Sequence, residues 1–437
     1  MNSLDFRIGP GGILKGNLRV AGDKSISHRA IILGSIADGV TRISGFLEAE
    51  DAMATLAAFR SMGVEIEGPE SGRVIVHGVG LDGLQAPDVP LDLGNSGTSM
   101  RLLCGLLAGQ AFDSILTGDS SLLRRPMRRV TDPLASMGGQ IGVSNEGTAP
   151  LHIAGNSKLS AIDYIMPVAS AQVKSCIILA ALYAKGVTHI TEPGPSRDHS
   201  ERMLAGFSCP LSIIDSKISI SGGNRLIGTE IDVPADISSA AFFLVAATIT
   251  PGSDIILRHV GVNSTRTGII EILKLMGADI SLTNQQVVGG ESIADIRIKS
   301  SPLRGIKIPE YMVPLAIDEF PVLFVAAACA EGQTILSGAS ELRVKESDRI
   351  QAMADGLTAL GIDAQPTADG MIINGGRIIG GQVDSFGDHR IAMAFSIAGF
   401  RASDEITILN CANVRTSFPD FVSSARDLGL DINECWE

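Results

Sequence analysis

The stretch AEGQTILSG at residues 330–338 decides how this chain is read. It closes an apolar run, FPVLFVAAACA (320–330), turns at a Gly, and continues as a short alternating segment of β character. The same figure returns as ADGVTRISG (37–45), AGQAFDSILTG (108–118), AKGVTHITEPG (184–194), TPGSDIILRHVG (250–261) and ASDEITILN (402–410), spaced roughly 70 residues apart. Between the copies lies a second figure, a helix closed by Gly and followed by a strand: FRSMGVEIEG, LASMGGQIGV, LKLMGADISL, TALGIDAQ and RDLGLDINE. Its glycines are Gly63, Gly138, Gly277, Gly361 and Gly429. Each suits the position just past a helix C-terminus, where left-handed backbone favours Gly. A sixth copy, AGFSCPLSI, carries Ser208 in that place.

The unit is therefore helix–strand–helix–strand–strand, with three copies in each half of the chain. The first helix of each copy (IILGSIA, LLCGLLAG, CIILAALYA, AAFFLVAATI, FPVLFVAAACA, IAMAFSIAG) is apolar nearly all round. Helices without a polar face are buried on every side. The expected fold class is α/β: two inside-out α/β domains, each a threefold repeat with buried helices and outer sheets. The mid-chain boundary is expected near Val233 and Pro234, and the leftover N-terminal strands, up to about residue 21, must join one of the domains.

At 437 residues the chain is long enough for two cores. Hydrophobic residues make up 45% and charged residues 19%, a globular composition. The formal net charge of −13 disfavours nucleic acid and anionic membranes as partners. The apolar runs are too short and interrupted to span a bilayer, and the start, MNSLDFRIGP, has no signal-peptide pattern. The six Cys include no CxxC pair and no Cys/His metal spacing. Cys104, Cys176 and Cys329 lie in apolar runs and suit buried thiols in a reducing compartment. A cytoplasmic protein without metal or cofactor is expected. Walker, GxGxxG, HExxH and GxSxG motifs are absent.

In so acidic a chain the placement of cations is informative. A buried helix offers its free N–H groups only at its start, where the dipole favours anions. The polar segments GDKSISHR (22–29), GNSGTSMR (94–101), ASAQVKS (169–175), PADISS (234–239), IDEFP (317–321) and GDHR (387–390) mark those starts. Ser, Asn and Asp there serve as ordinary caps. Lys24, Arg29, Arg101, Lys174 and Arg390 do not, because the dipole opposes a cation there. Taken as a set they point to anion binding. The clusters SLLRRPMRRV (121–130), LRVKESDRI (342–350) and SRDHSER (196–202) add further basic residues, alone readable as solvated or salt-bridged faces.

These segments, with RPM, SAQVKS, RDHSE, VPADISSAAF, IDEFP, LRVKESDR, DHRIAM and TSFPDF, resemble the 3-phosphoshikimate 1-carboxyvinyltransferase (EPSP synthase) family over essentially the whole chain. The wording is closer to the bacterial class that tends to tolerate glyphosate. The resemblance implies a discontinuous first domain, 1–21 with 234–437, a second domain, 22–233, and an active site in the cleft between them. It implies transfer of the enolpyruvyl group of phosphoenolpyruvate to the 5-hydroxyl of shikimate 3-phosphate, with release of phosphate. It assigns shikimate 3-phosphate to Lys24, Ser25, Arg29, Ser170, Ala171, Gln172, Arg197, Asp318 and Lys345. Phosphoenolpyruvate falls to Lys24, Asn95, Gly97, Arg125, Gln172, Arg349 and Arg390. Asp318 is implied as base on the 5-hydroxyl and Glu346 as proton donor to the methylene, with Lys24 a competing acid/base. A monomer is expected.

Some positions depart from the family pattern. Arg128 stands where Gly usually follows the RP-hydrophobic triplet, and adds charge near Arg125. Thr416 replaces a Lys of the plant-like class, with Arg415 one residue earlier. Ala171 lacks the hydroxyl of the plant-like SSQ triplet. Gly97 leaves room for glyphosate, which argues for sensitivity against the class tendency. UDP-N-acetylglucosamine 1-carboxyvinyltransferases share the fold, but typically carry a reactive Cys in the loop matching residues 121–130 and Asn where Ser25 stands here. A non-catalytic anion-binding protein would leave Asp318 and Glu346 unexplained, since carboxylates facing anions make sense mainly as proton carriers.

Overall fold

The computed structural model describes residues 4–155 and 158–436. The chain divides into two compact units. One comprises the N-terminal stretch up to Ala21, Pro234–Gln286 and the chain from Ser292 onward; the other comprises Gly22–Val233 with Val287–Glu291. Residues 287–291 thus depart from a clean division at 233/234. His199 Nδ1 lies 2.7 Å from Glu291 Oε1, and Arg202 Nη1 donates to the Gly290 carbonyl at 3.0 Å.

The apolar segments form the helices Lys24–Ser35, Gly97–Leu107, Ala171–Ala181, Ile237–Ile249, Phe320–Ala328 and His389–Ala398. Every residue of Ile237–Ile249 and of Phe320–Ala328 is buried. A fully buried Val, Leu, Ile or Phe contributes about 1.5–3 kcal/mol relative to an exposed one, so these helices anchor the cores. Each unit has its own apolar cluster. In the first, Phe242, Phe243, Phe418 and Phe421 meet edge-on or tilted, with ring centroids 5.8–6.2 Å apart.

The strand that follows each buried helix has the same surroundings in five places, and a reduced parallel side in the sixth. Asp38–Ser44 pairs in parallel with Glu230–Asp232 and antiparallel with Arg73–Val79. Ser114–Thr117 has Leu91–Asp92 and Leu151–Ile153 as its parallel and antiparallel neighbours. Val187–Thr191 has Asp163–Ile165 and Lys217–Ser221. In the first unit, Asp254–Gly261 runs parallel to Lys15–Leu18 and antiparallel to Glu291–Lys299. Ile406–Leu409 runs parallel to Gly381–Asp384 and antiparallel to Leu4–Ile8. At Gln333–Leu336 the antiparallel partner is Met371–Asn374, while the parallel side shrinks to single bridges at Arg304 and Lys307. The N-terminal strands complete two sheets of the first unit: Leu4–Ile8 closes the last repeat, and Lys15–Leu18 opens the one at Asp254. One face of these strands is buried, as in the BiBi alternation of Ile406–Leu409, so the sheets cover the helices.

The glycines after the second helices all take positive φ: 84° at Gly63, 95° at Gly138, 105° at Gly277, 85° at Gly361 and 100° at Gly429. Ser208 adopts the same left-handed backbone, at φ 63°, although it carries a Cβ. The repeat therefore imposes the turn even where the residue opposes it. Left-handed backbone costs a non-Gly residue about 1–2 kcal/mol. Gly138→Ala is expected to lower the melting temperature by about 2–4 °C per kcal/mol lost, whereas Ser208→Gly should leave it unchanged or higher. Thermal unfolding of the two variants beside the parent checks this; a Ser208→Gly protein that melts earlier contradicts it.

Candidate functional site

The helix starts are capped as the sequence suggests. Asp23, Ser96, Ser170, Asp236 and Asp388 each accept a backbone N–H of the first turn through the side chain. Glu319, before Phe320–Ala328, makes no such cap. It accepts the Ser238 hydroxyl instead. The candidate residues then fall into two clusters, one in each unit.

In the first unit the cluster is built on Arg349, which opens the helix Arg349–Ala359. Its side chain is only 1% exposed and its fork is shared among carboxylates. Nε donates to Asp388 Oδ2 at 2.8 Å, Nη2 to Glu346 Oε2 at 2.6 Å, and Nη1 reaches Asp318 Oδ1 at 3.4 Å. Burial alone would lower the Arg349 pKa, but Asp388, Glu346 and Asp318 outweigh it and raise it above the ordinary value. Lys345 Nζ lies 3.4 Å from Asp318 Oδ1, and Arg390 Nη2 lies 4.0 Å from Asp318 Oδ2. Arg390 Nη1 donates to the Asp318 carbonyl at 2.9 Å. Asp318 thus faces three cations, and Glu346 sits on the Arg349 fork.

In the second unit Lys24 forms an ion pair with the buried Asp51, on the helix Glu50–Ser61. Arg125 Nη2 donates to Asn95 Oδ1 at 2.7 Å, and Asn95 Nδ2 donates to Asp119 Oδ2 at 2.7 Å. A Cβ at Gly97 would lie 3.0 Å from Arg125 Nη1 and 3.3 Å from Arg101 Nη1, so the two guanidinium groups lie against its backbone. Arg101 donates to Gln172 Oε1, and Gln172 Nε2 donates to Thr98 Oγ1 at 3.0 Å. Ser170 is the cap and Ala171 the first residue of Ala171–Ala181. Ser25 gives its carbonyl to Arg29 Nη1 at 2.9 Å. Arg197 is half-buried just before the helix His199–Gly206.

Arg29 is almost wholly buried. Its Nε donates to Ser200 Oγ at 2.7 Å and its Nη2 to Ser175 Oγ at 2.6 Å. Desolvation lowers its pKa to about 10, against the opposing pull of Glu201 and Asp23. Lys174, grouped with the anion-binding cations by sequence, has a different place. Its buried Nζ lies 2.8 Å from both Glu192 Oε2 and Glu201 Oε1, so its charge is offset inside the protein. The departures also find positions. Arg128 is exposed and its side chain lies over Gly147, where a Cβ would come within 2.5 Å of Nε. Thr416 Oγ1 donates to the Asn413 carbonyl, and Arg415 sits over the Trp436 ring at 5.1 Å, with Glu434 at 3.6 Å.

Asp51 stands outside the motifs the sequence offers, Glu192 inside AKGVTHITEPG, and Glu201 and Asp388 inside SRDHSER and GDHR; none carries a local signal of the cation it meets. Asp388 caps His389–Ala398 and, itself fully buried, pairs with the buried Arg349. Among the described residues no group of His, Cys, Asp and Glu is arranged to hold a metal ion, and no helix is long and apolar enough to cross a membrane.

Burial raises the Asp388 pKa, yet Arg349 outweighs it and the net shift is downward. A depressed carboxyl pKa contributes stability that is present above its unfolded value, near 3.8, and lost as pH falls through the folded one. Asp388→Asn removes the buried one of the three carboxylates around Arg349, and loss of one partner of a buried pair typically costs about 3–5 kcal/mol. Urea unfolding is therefore expected to show a large loss for the variant at pH 7. That gap should narrow as pH falls below the ordinary Asp range; a gap that widens in acid contradicts the pairing.

The EPSP synthase (3-phosphoshikimate 1-carboxyvinyltransferase) family model matches residues 8–424. A 3-phosphoshikimate 1-carboxyvinyltransferase of Methylococcus capsulatus is 67% identical over 427 residues, covering 98% of each chain. That of Alkalilimnicola ehrlichii is 65% identical over 428 residues, covering 98% of this chain and 96% of its own. A solved structure of EPSP synthase from Acinetobacter baumannii superimposes with a TM-score of 0.90 at 56% identity, covering all of both chains. The chain therefore belongs to the EPSP synthase (3-phosphoshikimate 1-carboxyvinyltransferase) family.

Proposed function

We propose that this protein transfers the enolpyruvyl group of phosphoenolpyruvate to the 5-hydroxyl of shikimate 3-phosphate and releases inorganic phosphate. The observation that carries this is Asp318 and Glu346 set among Lys345, Arg349 and Arg390. Cations alone would suit an anion-binding protein. Carboxylates held beside those cations supply proton carriers as well.

In this reaction Asp318 takes the proton of the 5-hydroxyl as its oxygen attacks C2 of phosphoenolpyruvate, and Glu346 gives a proton to the methylene. Loss of a proton from the new methyl group and of phosphate from C2 then restores the double bond. Arg125, Arg349 and Arg390 hold the charges of phosphoenolpyruvate, with Asn95, Gly97, Gln172 and Lys24. Ser25, Arg29, Ser170, Gln172, Arg197, Lys345 and Lys24 hold shikimate 3-phosphate, beside the Ala171 backbone. Lys24, paired with Asp51, is the alternative proton carrier. We assign the repeat architecture to two inside-out domains, 1–21 with 234–437 and 22–233. The enzyme works as a cytoplasmic monomer without a cofactor.

Gly97 bears on glyphosate. With no side chain at 97, the Arg125 and Arg101 guanidinium groups approach the backbone. Glyphosate should compete with phosphoenolpyruvate, despite wording closer to the tolerant class. Gly97→Ala should raise the inhibition constant more than the KM for phosphoenolpyruvate. Absence of inhibition together with an unchanged Gly97→Ala enzyme would falsify the steric account.

A coupled assay of phosphate release tests the function itself. Release is expected with shikimate 3-phosphate and not with UDP-N-acetylglucosamine. Asp318→Asn and Glu346→Gln should each cut kcat by about 10²–10⁴-fold. Turnover of the nucleotide sugar, or none with either acceptor, overturns the proposal.

A further inference from the structure

His28 is buried in the second unit and has no part in the reaction as assigned. Its Nδ1 lies 2.7 Å from Thr55 Oγ1, on the helix Glu50–Ser61. Thr55 Oγ1 lies 2.6 Å from Ser99 Oγ, which donates to Ser96 Oγ at 2.6 Å. Ser96 Oγ also accepts the Ser99 N–H at 3.1 Å, as the cap of Gly97–Leu107. A run of hydrogen bonds therefore leads from an imidazole to the residue between Asn95 and Gly97. All four side chains are buried: His28, Thr55, Ser96 and Ser99 are each 0% exposed.

The run has a direction. Ser99 donates its hydroxyl to Ser96, so it accepts from Thr55, and Thr55 accepts from His28. That places the imidazole proton on Nδ1. Among the described residues Nε2 is buried with no hydrogen-bond partner. In the reverse polarity Nε2 would carry the proton, as an orphaned buried N–H donor. Such donors are rarer and costlier than an acceptor left unfilled. The ring is held neutral: burial, then Lys24 and Arg29, push its pKa well below the ordinary value.

We propose that His28, a neutral imidazole with its proton on Nδ1, is a positioning residue for the 95–97 loop, acting through Thr55, Ser99 and Ser96. This rests on the assignment of Asn95 and Gly97 to phosphoenolpyruvate proposed above. The Ser96 backbone is held by its N–H donating to the Leu93 carbonyl at 2.9 Å and its carbonyl accepting the Met100 N–H at 3.2 Å, and the run adds a constraint on its side chain. Its neighbour Asn95 bonds Arg125 and Asp119, and the Arg125 and Arg101 guanidinium groups lie beside Gly97. The relay fixes the Ser96 hydroxyl, which is also the cap of Gly97–Leu107. Thr55 reaches it from the same helix whose Asp51 pairs with Lys24, one turn away.

His28→Leu removes the donor at the head of the run, and Thr55→Val cuts its middle with little change of shape, leaving only the long 3.4 Å approach of His28 Nδ1 to Ser99 Oγ. His28→Asn returns an N–H near the position of Nδ1. The first two should raise the KM for phosphoenolpyruvate about 3- to 10-fold, the effect of one lost hydrogen bond. The KM for shikimate 3-phosphate should stay within twofold, and His28→Asn should recover most of the loss. Nitrogen-15 spectra of the parent should show His28 protonated at Nδ1, and the Asn95 and Gly97 amide resonances should move in Thr55→Val. Equal changes in both KM values, a proton on Nε2, or unmoved loop amides overturn the proposal. Amides that move in a protein showing no enolpyruvyl transfer would instead count against the assigned reaction.

Discussion

A cation at the buried start of a helix is opposed by the dipole and by desolvation, and an adjacent carboxylate can offset both. That constraint organises this protein. Arg349 illustrates it: a fully buried guanidinium at the first position of its helix, held by Asp388, Glu346 and Asp318. Lys24 on Asp51 repeats the arrangement in the other unit. The acidic partners hold these cations in place within the fold. Anionic substrates can then meet cations already in place instead of ordering them on arrival.

The fold follows from the same requirement. Helices such as Ile237–Ile249 have no polar face, so their starts are the points where a buried helix can present N–H groups and charge. Sheets with one buried face close over them. The turn after each second helix is geometrically fixed, and Ser208 accepts left-handed backbone to keep it. Charged and capping groups at the helix starts and apolar packing along the helix bodies are thus separated along the chain.

Much of this was legible in the sequence. The six returns of the strand after an apolar helix, and the five glycines, are local signals and locate the elements. Caps such as Ser96 and Asp388 are local too. Pairings across long separations are not. Nothing near Leu4 announces that it completes the sheet of Ile406, about 400 residues away. Nothing near Lys174 announces Glu192 and Glu201, which take its charge inside the protein. Arg128 looked like added charge beside Arg125, but its side chain lies over Gly147, a contact set by tertiary packing. The His28 run crosses three helices and leaves only scattered Ser, Thr and His in the sequence.

The central claim is that these cations are shared between the protein's own carboxylates and bound anions. Thermal unfolding at constant ionic strength tests it most directly, with shikimate 3-phosphate, then inorganic phosphate added, set against unphosphorylated shikimate. A ligand that binds only the folded state at 100 times its Kd adds about 2.7 kcal/mol. The account predicts a rise of several degrees with shikimate 3-phosphate, a further rise with phosphate, and much less with shikimate. Equal shifts from all three, or none, would contradict it.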